Sequence, residues 1–194
     1  GFVVAAMDHV GNTTINMISG QSKTGDIEFM RRFILSRPAD ASFVIDQMIA
    51  GEAGIEIDAN RIGMSGHSFG GWTTLKTLET DERVKAIVPL APAGGKTSDG
   101  ENPLPDALTF DWGRTVPALY IVSDLDSILP LSGMRDLCER NPEPKIVVVL
   151  ENADHFHFND DVEKNQDGFK LFIEAANADA DEEAKRGMDE MLSL

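Results

Sequence analysis

The chain has 194 residues, 42% of them apolar, with a formal charge of −16 and a pI near 4.5. That length suits one domain with a sizeable core, and no run approaches the length of a membrane-spanning helix. So acidic a chain lacks the basic face that phosphate binding needs, which argues against nucleic acid as a partner. A lone cysteine, Cys138, cannot form an internal disulfide and reads as a buried structural thiol on a helix.

Phe2-Val3-Val4-Ala5-Ala6-Met7 is apolar throughout and reads as a buried strand, with Asp8-His9-Val10-Gly11-Asn12-Thr13 as the polar turn at its C-terminal end. Gly1 leads straight into this run, which is not how a complete chain begins. No leader is visible; the cytoplasm is slightly favoured as the compartment, and a secreted protein with its leader upstream fits the same residues. Residues 14–25 read as loop. Asp26 is placed to cap a helix through about Leu35. Pro38 then opens a second helix, on which Ala41, Val44, Ile45, Met48 and Ile49 recur at helical spacing, and Gly51 and Gly54 end it.

A strand at 62–66 runs into Gly66-His67-Ser68-Phe69-Gly70-Gly71, and a helix follows at once with Trp72, Leu75 and Leu78 on one face. Val84 to Leu90 is the next strand. Residues 91–116 are rich in Gly, Pro and Asp, with a short helix expected near Leu104–Leu108. The 92–113 part of this stretch is expected to shape a pocket. Ala118 to Val122 is a strand, Ser123 to Pro130 its loop, and a helix runs on to about Glu139. Lys145 to Leu150 is the last clear strand, with the loop Glu151 to Asp161 behind it. Two closing helices are expected near 167–177 and 180–192, and the acidic stretch Asp179 to Glu183 reads as a solvated helix start.

Strands alternating with helices predict an α/β fold: one domain over 1–194, with a mostly parallel sheet of about five strands flanked by helices on both faces. Ligands in such sheets bind outside the carboxyl ends of the strands. Ser68, Asp126 and His155 each fall just after a strand.

Gly-x-Ser-x-Gly between a strand and a helix has a mechanical meaning. A sharp strand-to-helix turn strains its middle residue, and side chains two positions away on either side would collide, so glycine is needed there. The turn lifts the Ser68 hydroxyl clear of the sheet and sets the Phe69 amide at a helix start, where it can donate to a developing oxyanion. A serine hydroxyl also needs a base, usually His, and a carboxylate to orient it. The chain has four histidines. His67 sits beside the serine and is expected to point elsewhere. His9 follows the first strand and reads as a loop residue on the active face. His155 and His157 follow the last strand; His155 is preferred as base. Two histidines without a third ligand cluster are a poor metal site. For the acid, Asp124 abuts its strand, whereas Asp126 stands farther into the loop, and Asp126 is preferred.

The elbow Gly66-His67-Ser68-Phe69-Gly70-Gly71, the loop Asp124-Leu125-Asp126-Ser127-Ile128-Leu129-Pro130 and the segment Ala153-Asp154-His155-Phe156 resemble those of α/β-hydrolases. The nearest branch is the dienelactone-hydrolase-like serine esterases, close to platelet-activating-factor acetylhydrolases and cutinase-like polyesterases. Asp8-His9-Val10-Gly11-Asn12-Thr13 and Arg37-Pro38-Ala39-Asp40 resemble stretches of that branch as well. The resemblance runs through nearly the whole chain. It implies an α/β-hydrolase fold with Ser68 as nucleophile, Asp126 as acid and His155 as base. True dienelactone hydrolases use a cysteine nucleophile; Ser68 departs from that and favours ordinary ester hydrolysis. The family sheet has eight strands, and the strand whose loop supplies the second oxyanion amide is missing from the five counted here. Either the chain is a fragment, or its first strand slides beside the Ser68 strand and the amides of His9 to Gly11 replace the lost donor.

The expected function is that of a serine carboxylesterase acting on short or exposed esters, with Phe69, His9, Ile128 and Phe156 near the substrate and no metal or cofactor required. The alternatives are a related acyl hydrolase (polyesterase, thioesterase or peptidase) and a non-catalytic truncated protein of the same fold. An incomplete sheet would leave an edge through which the chain could form a homodimer.

Overall fold

Four short runs make the sheet, three of them rich in apolar and β-branched residues. β1 (Ile62–His67), β2 (Val84–Leu90), β3 (Ala118–Ser123) and β4 (Lys145–Leu150) lie side by side in that order, and every pair is parallel. The computed structural model describes residues 1–10, 27–97, 104, 107–160 and 167. The loop expected at 14–25, the acidic stretch, most of the short helix near Leu104 and all but one residue of the closing helices lie outside these. The strand ends are level: His67 pairs with Leu90, Leu90 with Ile121, and Ile121 with Val148. The loops that follow β1, β3 and β4 therefore emerge along one end of the sheet.

Three helices bury one face. α1 (Ile27–Ile49) packs on α2 (Phe69–Thr77), α2 packs on β1 and β2, and α3 (Leu131–Arg140) packs on β3. Strand alternation sends Ala118, Tyr120 and Val122 into a core shared with Trp72 and Leu75 of α2, Leu78 at its C-cap, and Met134 and Leu137 of α3. The buried Tyr120 hydroxyl donates to Asn141 Oδ1 at 2.8 Å, so its burial strands no donor. Cys138 packs against the same core, and burial pushes its thiol up to about 11, as suits a structural cysteine.

Three expectations change. The sheet has four strands among the described residues, not about five. Residues 2–7 are not a strand: Phe2 is fully exposed and Val4 87% exposed. An apolar run can become a buried strand only where a neighbouring edge and a covering layer receive it, and the packed part of the sheet starts at β1. Among the described residues the helices lie on one face of the sheet. Leu119 and Ile121, on the opposite face of β3, are half-buried, and Val147, Val148 and Val149 on β4 are 40–46% exposed.

The third change concerns Pro38, which lies inside α1 instead of opening a second helix. A proline there removes one helix bond and crowds the previous turn, at a cost of about 3 kcal/mol. The helix runs through because both halves bury the same face. Ile34 before the proline, and Ala41 and Ile45 after it, pack on the core, while Arg37 and Pro38 are themselves buried. Gly51, at φ +77°, ends the exit from the helix as expected.

Candidate active site

Ser68 stands between the last residue of β1 and the first of α2, with φ 56° and ψ −117°. That is a region only glycine enters freely. Three backbone bonds hold it there. Ser68 N–H donates to the Leu90 carbonyl at 2.9 Å, and the Ser68 carbonyl accepts from Ala93 N–H at 2.9 Å and Trp72 N–H at 3.2 Å. A serine at a helix N-cap ordinarily bonds an exposed amide of the first turn. Here it makes no such cap bond.

The glycines explain how so tight a corner is built. A Cβ on Gly66 would stand 2.4 Å from the backbone carbon and oxygen of Gly70, and one on Gly71 would stand 2.7 Å from Pro92 Cβ. The expected collision is thus real on the N-terminal side of the serine. On the C-terminal side it falls at Gly71, since a Cβ on Gly70 would meet nothing within 4 Å.

The other two candidates meet at the same end of the sheet. His155 Nδ1 lies 2.8 Å from Asp126 Oδ2, with the two side chains 4% and 1% exposed. The second Asp126 oxygen accepts from the amides of Ile128 at 2.9 Å and Leu129 at 2.7 Å. The carboxylate is therefore fixed by its own loop and turned toward the imidazole. An ionised Asp126 accepts a hydrogen bond from Nδ1–H of a neutral His155, which leaves Nε2 as the basic nitrogen. Asp124 does something else: its Oδ1 accepts from Ala153 N–H at 3.2 Å and so joins the β3 loop to the β4 loop. Ser127 strengthens that junction by donating to Asp154 Oδ2 at 3.1 Å. His157 is exposed and its Nδ1 accepts from Asp154 N–H at 2.9 Å. Among the described residues no group of three or more His, Cys, Asp or Glu could hold a metal ion.

His67 was expected to point elsewhere, and it does not. Its Nε2–H donates to the His155 carbonyl at 2.8 Å, and the two rings are 4.5 Å apart. Burial, then the neighbouring His155, pushes its pKa down to about 4, so the ring is neutral near pH 7. The elbow thus carries a direct strap to the loop that holds His155. Strand alternation alone could not reveal this, because the partner is a backbone atom 88 residues away in sequence.

His9 is buried, its Nδ1 2.8 Å from Asp40 Oδ2 on α1, and burial lowers its pKa against the pull of Asp40. Phe156 meets the His155 ring edge-on at 5.3 Å, and Ile128 is half-buried beside Asp126 in sequence. From the long loop, Ala93 holds the Ser68 carbonyl, and the Leu104 carbonyl accepts the Trp72 indole N–H at 3.1 Å. The arrangement offers a strained serine, a buried imidazole–carboxylate pair and a helix N-terminus at one end of the sheet.

A family model described as PET hydrolase-like matches residues 1–173. Cutinase est1 of Thermobifida alba is 31% identical over 160 residues, which cover 80% of this chain and 45% of that protein. Lipase 1 of a Moraxella species (strain TA144) is 33% identical over 123 residues, covering 62% of this chain and 34% of that one. The chain thus spans less than half the length of these two curated relatives. Among solved structures, a puromycin-hydrolysing peptidase of Mycobacterium tuberculosis superposes with a TM-score of 0.50 at 19% identity, covering 61% of this chain and 22% of the other. That last likeness is one of fold.

Proposed function

The chain belongs to the PET hydrolase-like family, and from that premise we propose that it hydrolyses short or solvent-exposed carboxylic esters through an acyl-enzyme on Ser68. Ser68 Oγ attacks the ester carbonyl as His155 Nε2 takes its proton. Asp126 holds the imidazole in the right tautomer and stabilises the imidazolium. The Phe69 amide, at the positive end of α2, stabilises the oxyanion of the tetrahedral intermediate. Collapse of that intermediate breaks the bond to the alcohol, which leaves with the proton from His155 Nε2. Water, deprotonated by His155, then attacks the acyl-enzyme and releases the acid. Phe69, Ile128, Phe156 and the 92–113 loop wall the substrate site, with His9 at its border, in a single domain over 1–194.

The observation that carries this reading is the corner itself: a serine at φ 56° whose hydroxyl leaves the helix uncapped, strapped through His67 to a buried His155–Asp126 pair. The kinship with a cutinase favours a second, narrower version, in which the ester belongs to a polymer chain lying across the site. The outer edge of β1 supports a self-associating form, because among the described residues β1 is paired only with β2 and an open edge is a template for a second copy.

A fluorophosphonate probe with intact-mass readout tests the chemistry without a guess about substrate. One adduct on the wild-type chain, lost in Ser68→Ala, is the expected result. A folded chain that takes no adduct would refute it and favour a non-catalytic member of the fold. Hydrolysis of soluble p-nitrophenyl esters against polyester film then separates the two substrate versions, and light scattering reports the mass in solution.

A further inference from the structure

A guanidinium is the most strongly cationic side chain, and burying one is costly unless something specific holds it. Arg37 is 5% exposed, in the middle of α1. What it touches is the residue after the candidate nucleophile. Its Cζ lies 4.3 Å from the centre of the Phe69 ring, close enough for a cation–π contact. Its Nε–H donates to Thr73 Oγ1 at 2.7 Å, and that hydroxyl in turn donates to the Phe69 carbonyl at 2.9 Å. Phe69 is therefore gripped twice from one guanidinium, at its ring directly and at its carbonyl through one hydroxyl.

Those two grips bear on the backbone of one residue. Ring and carbonyl together hold Phe69, and with it one end of the peptide plane that carries its N–H; the other end, the Ser68 carbonyl, is held by Ala93 and Trp72. We propose that Arg37 is a positioning residue that aims the Phe69 amide at the oxyanion, a role that rests on the serine-hydrolase reading above. The guanidinium is in turn backed from outside. Asp40, one turn along α1, faces it with negative charge and is held by His9 Nδ1 at 2.8 Å. Although burial lowers the Arg37 pKa, it reaches only about 10, so the charge persists at neutral pH. The run Arg37, Thr73, Phe69 thus links α1 to the first amide of α2.

Removing an oxyanion donor outright costs about two to three orders of magnitude in rate, and misdirecting one costs part of that. The test compares wild type with Arg37→Met, Arg37→Lys and Thr73→Val, all in the 194-residue chain. It reads p-nitrophenyl butyrate kinetics, inhibition by a trifluoromethyl ketone, inhibition by the product acid, and melting temperature. The trifluoromethyl ketone forms an oxyanion adduct on the serine, whereas the acid does not. In Arg37→Met the expected kcat falls about 10- to 100-fold, with ketone affinity falling by a similar factor. KM and acid affinity stay within about twofold of wild type. Arg37→Lys recovers part of the loss. Thr73→Val, which removes the hydroxyl relay and keeps the shape, falls in between and carries the test if Arg37→Met does not fold. A fall in melting temperature with kcat and ketone affinity unchanged would overturn the proposal and leave Arg37 a packing residue. An unlabelled wild-type chain in the fluorophosphonate experiment would overturn the hydrolase reading itself, and this inference with it.

Discussion

Ser68 is held at φ 56° and ψ −117°, so its backbone can be relaxed without touching its contacts. The clean perturbation is the pair Ser68→Ala and Ser68→Gly. Both remove the hydroxyl and both should abolish hydrolysis, but only glycine adopts this backbone without strain. A residue held in such a region stores about 1–3 kcal/mol. Against that, glycine adds conformational freedom to the unfolded chain, which costs about 0.4–1 kcal/mol. The difference predicts Ser68→Gly to be more stable than Ser68→Ala by about 0.5–2 kcal/mol. For a domain of this size that is about 2–6 °C in melting temperature. Differential scanning calorimetry at neutral pH reads it directly, and denaturant titration with matched m-values guards against a change in the unfolded state. Equal stabilities, or alanine the more stable, would mean that the corner stores no strain and that its conformation is the local preference of the chain.

Three further outcomes follow from the geometry. Asp126→Asn should lower esterase kcat by up to about four orders of magnitude, because an amide oriented to donate cannot accept the His155 Nδ1 proton. Asp124→Asn, which touches a backbone amide and not the imidazole, should keep most activity; the reverse ranking would reassign the acid. Gly71→Ala should cost about 1–3 kcal/mol by forcing a methyl against Pro92, whereas Gly70→Ala, with open space at its Cβ position, should be neutral or stabilising by up to about 1 kcal/mol; urea unfolding separates them. Finally, His67 binds its proton near pH 4 in the fold against 6.5 in the unfolded chain, so between those values the unfolded chain holds more protons. Stability should be level above about pH 6.5 and fall as pH drops toward 4. His67→Gln should flatten that slope in part, with His9 contributing the remainder; an unchanged slope would remove His67 from the account.

The four observed strands were legible, three of them as short apolar runs bounded by turn residues and β1 by the glycine-flanked corner that ends it, and all four matched to within a residue at either end. Residues 2–7 carry the same signal and fail, since apolarity marks what a strand could bury, and only a neighbouring edge decides whether it is buried. Pro38 misled for a related reason: local propensity breaks the helix there, while burial on both sides of the proline carries it through. Ser68, Asp126 and His155 could be singled out because each lies in the corner or loop that follows a strand. Arg37 was passed over, although it falls on the helical stripe with Ala41 and Ile45. A cation on an apolar stripe was the available sign, hidden once the helix was taken to start at Pro38. His67 left no such sign, because its partner is a main-chain oxygen on a loop far along the chain.

Among the described strands, the one that delivers the serine stands first in the sheet. Its backbone ladder is made with β2 on one flank, so opening β1 breaks a single row of bonds. Amide hydrogen exchange along Ile62–His67 should therefore outpace exchange along β2, which is paired on both flanks. The corner at Ser68 shares whatever free energy that opening requires. Anything that docks on the outer flank of β1 would slow this breathing. By linkage, it would also tighten the serine's surroundings without touching the serine.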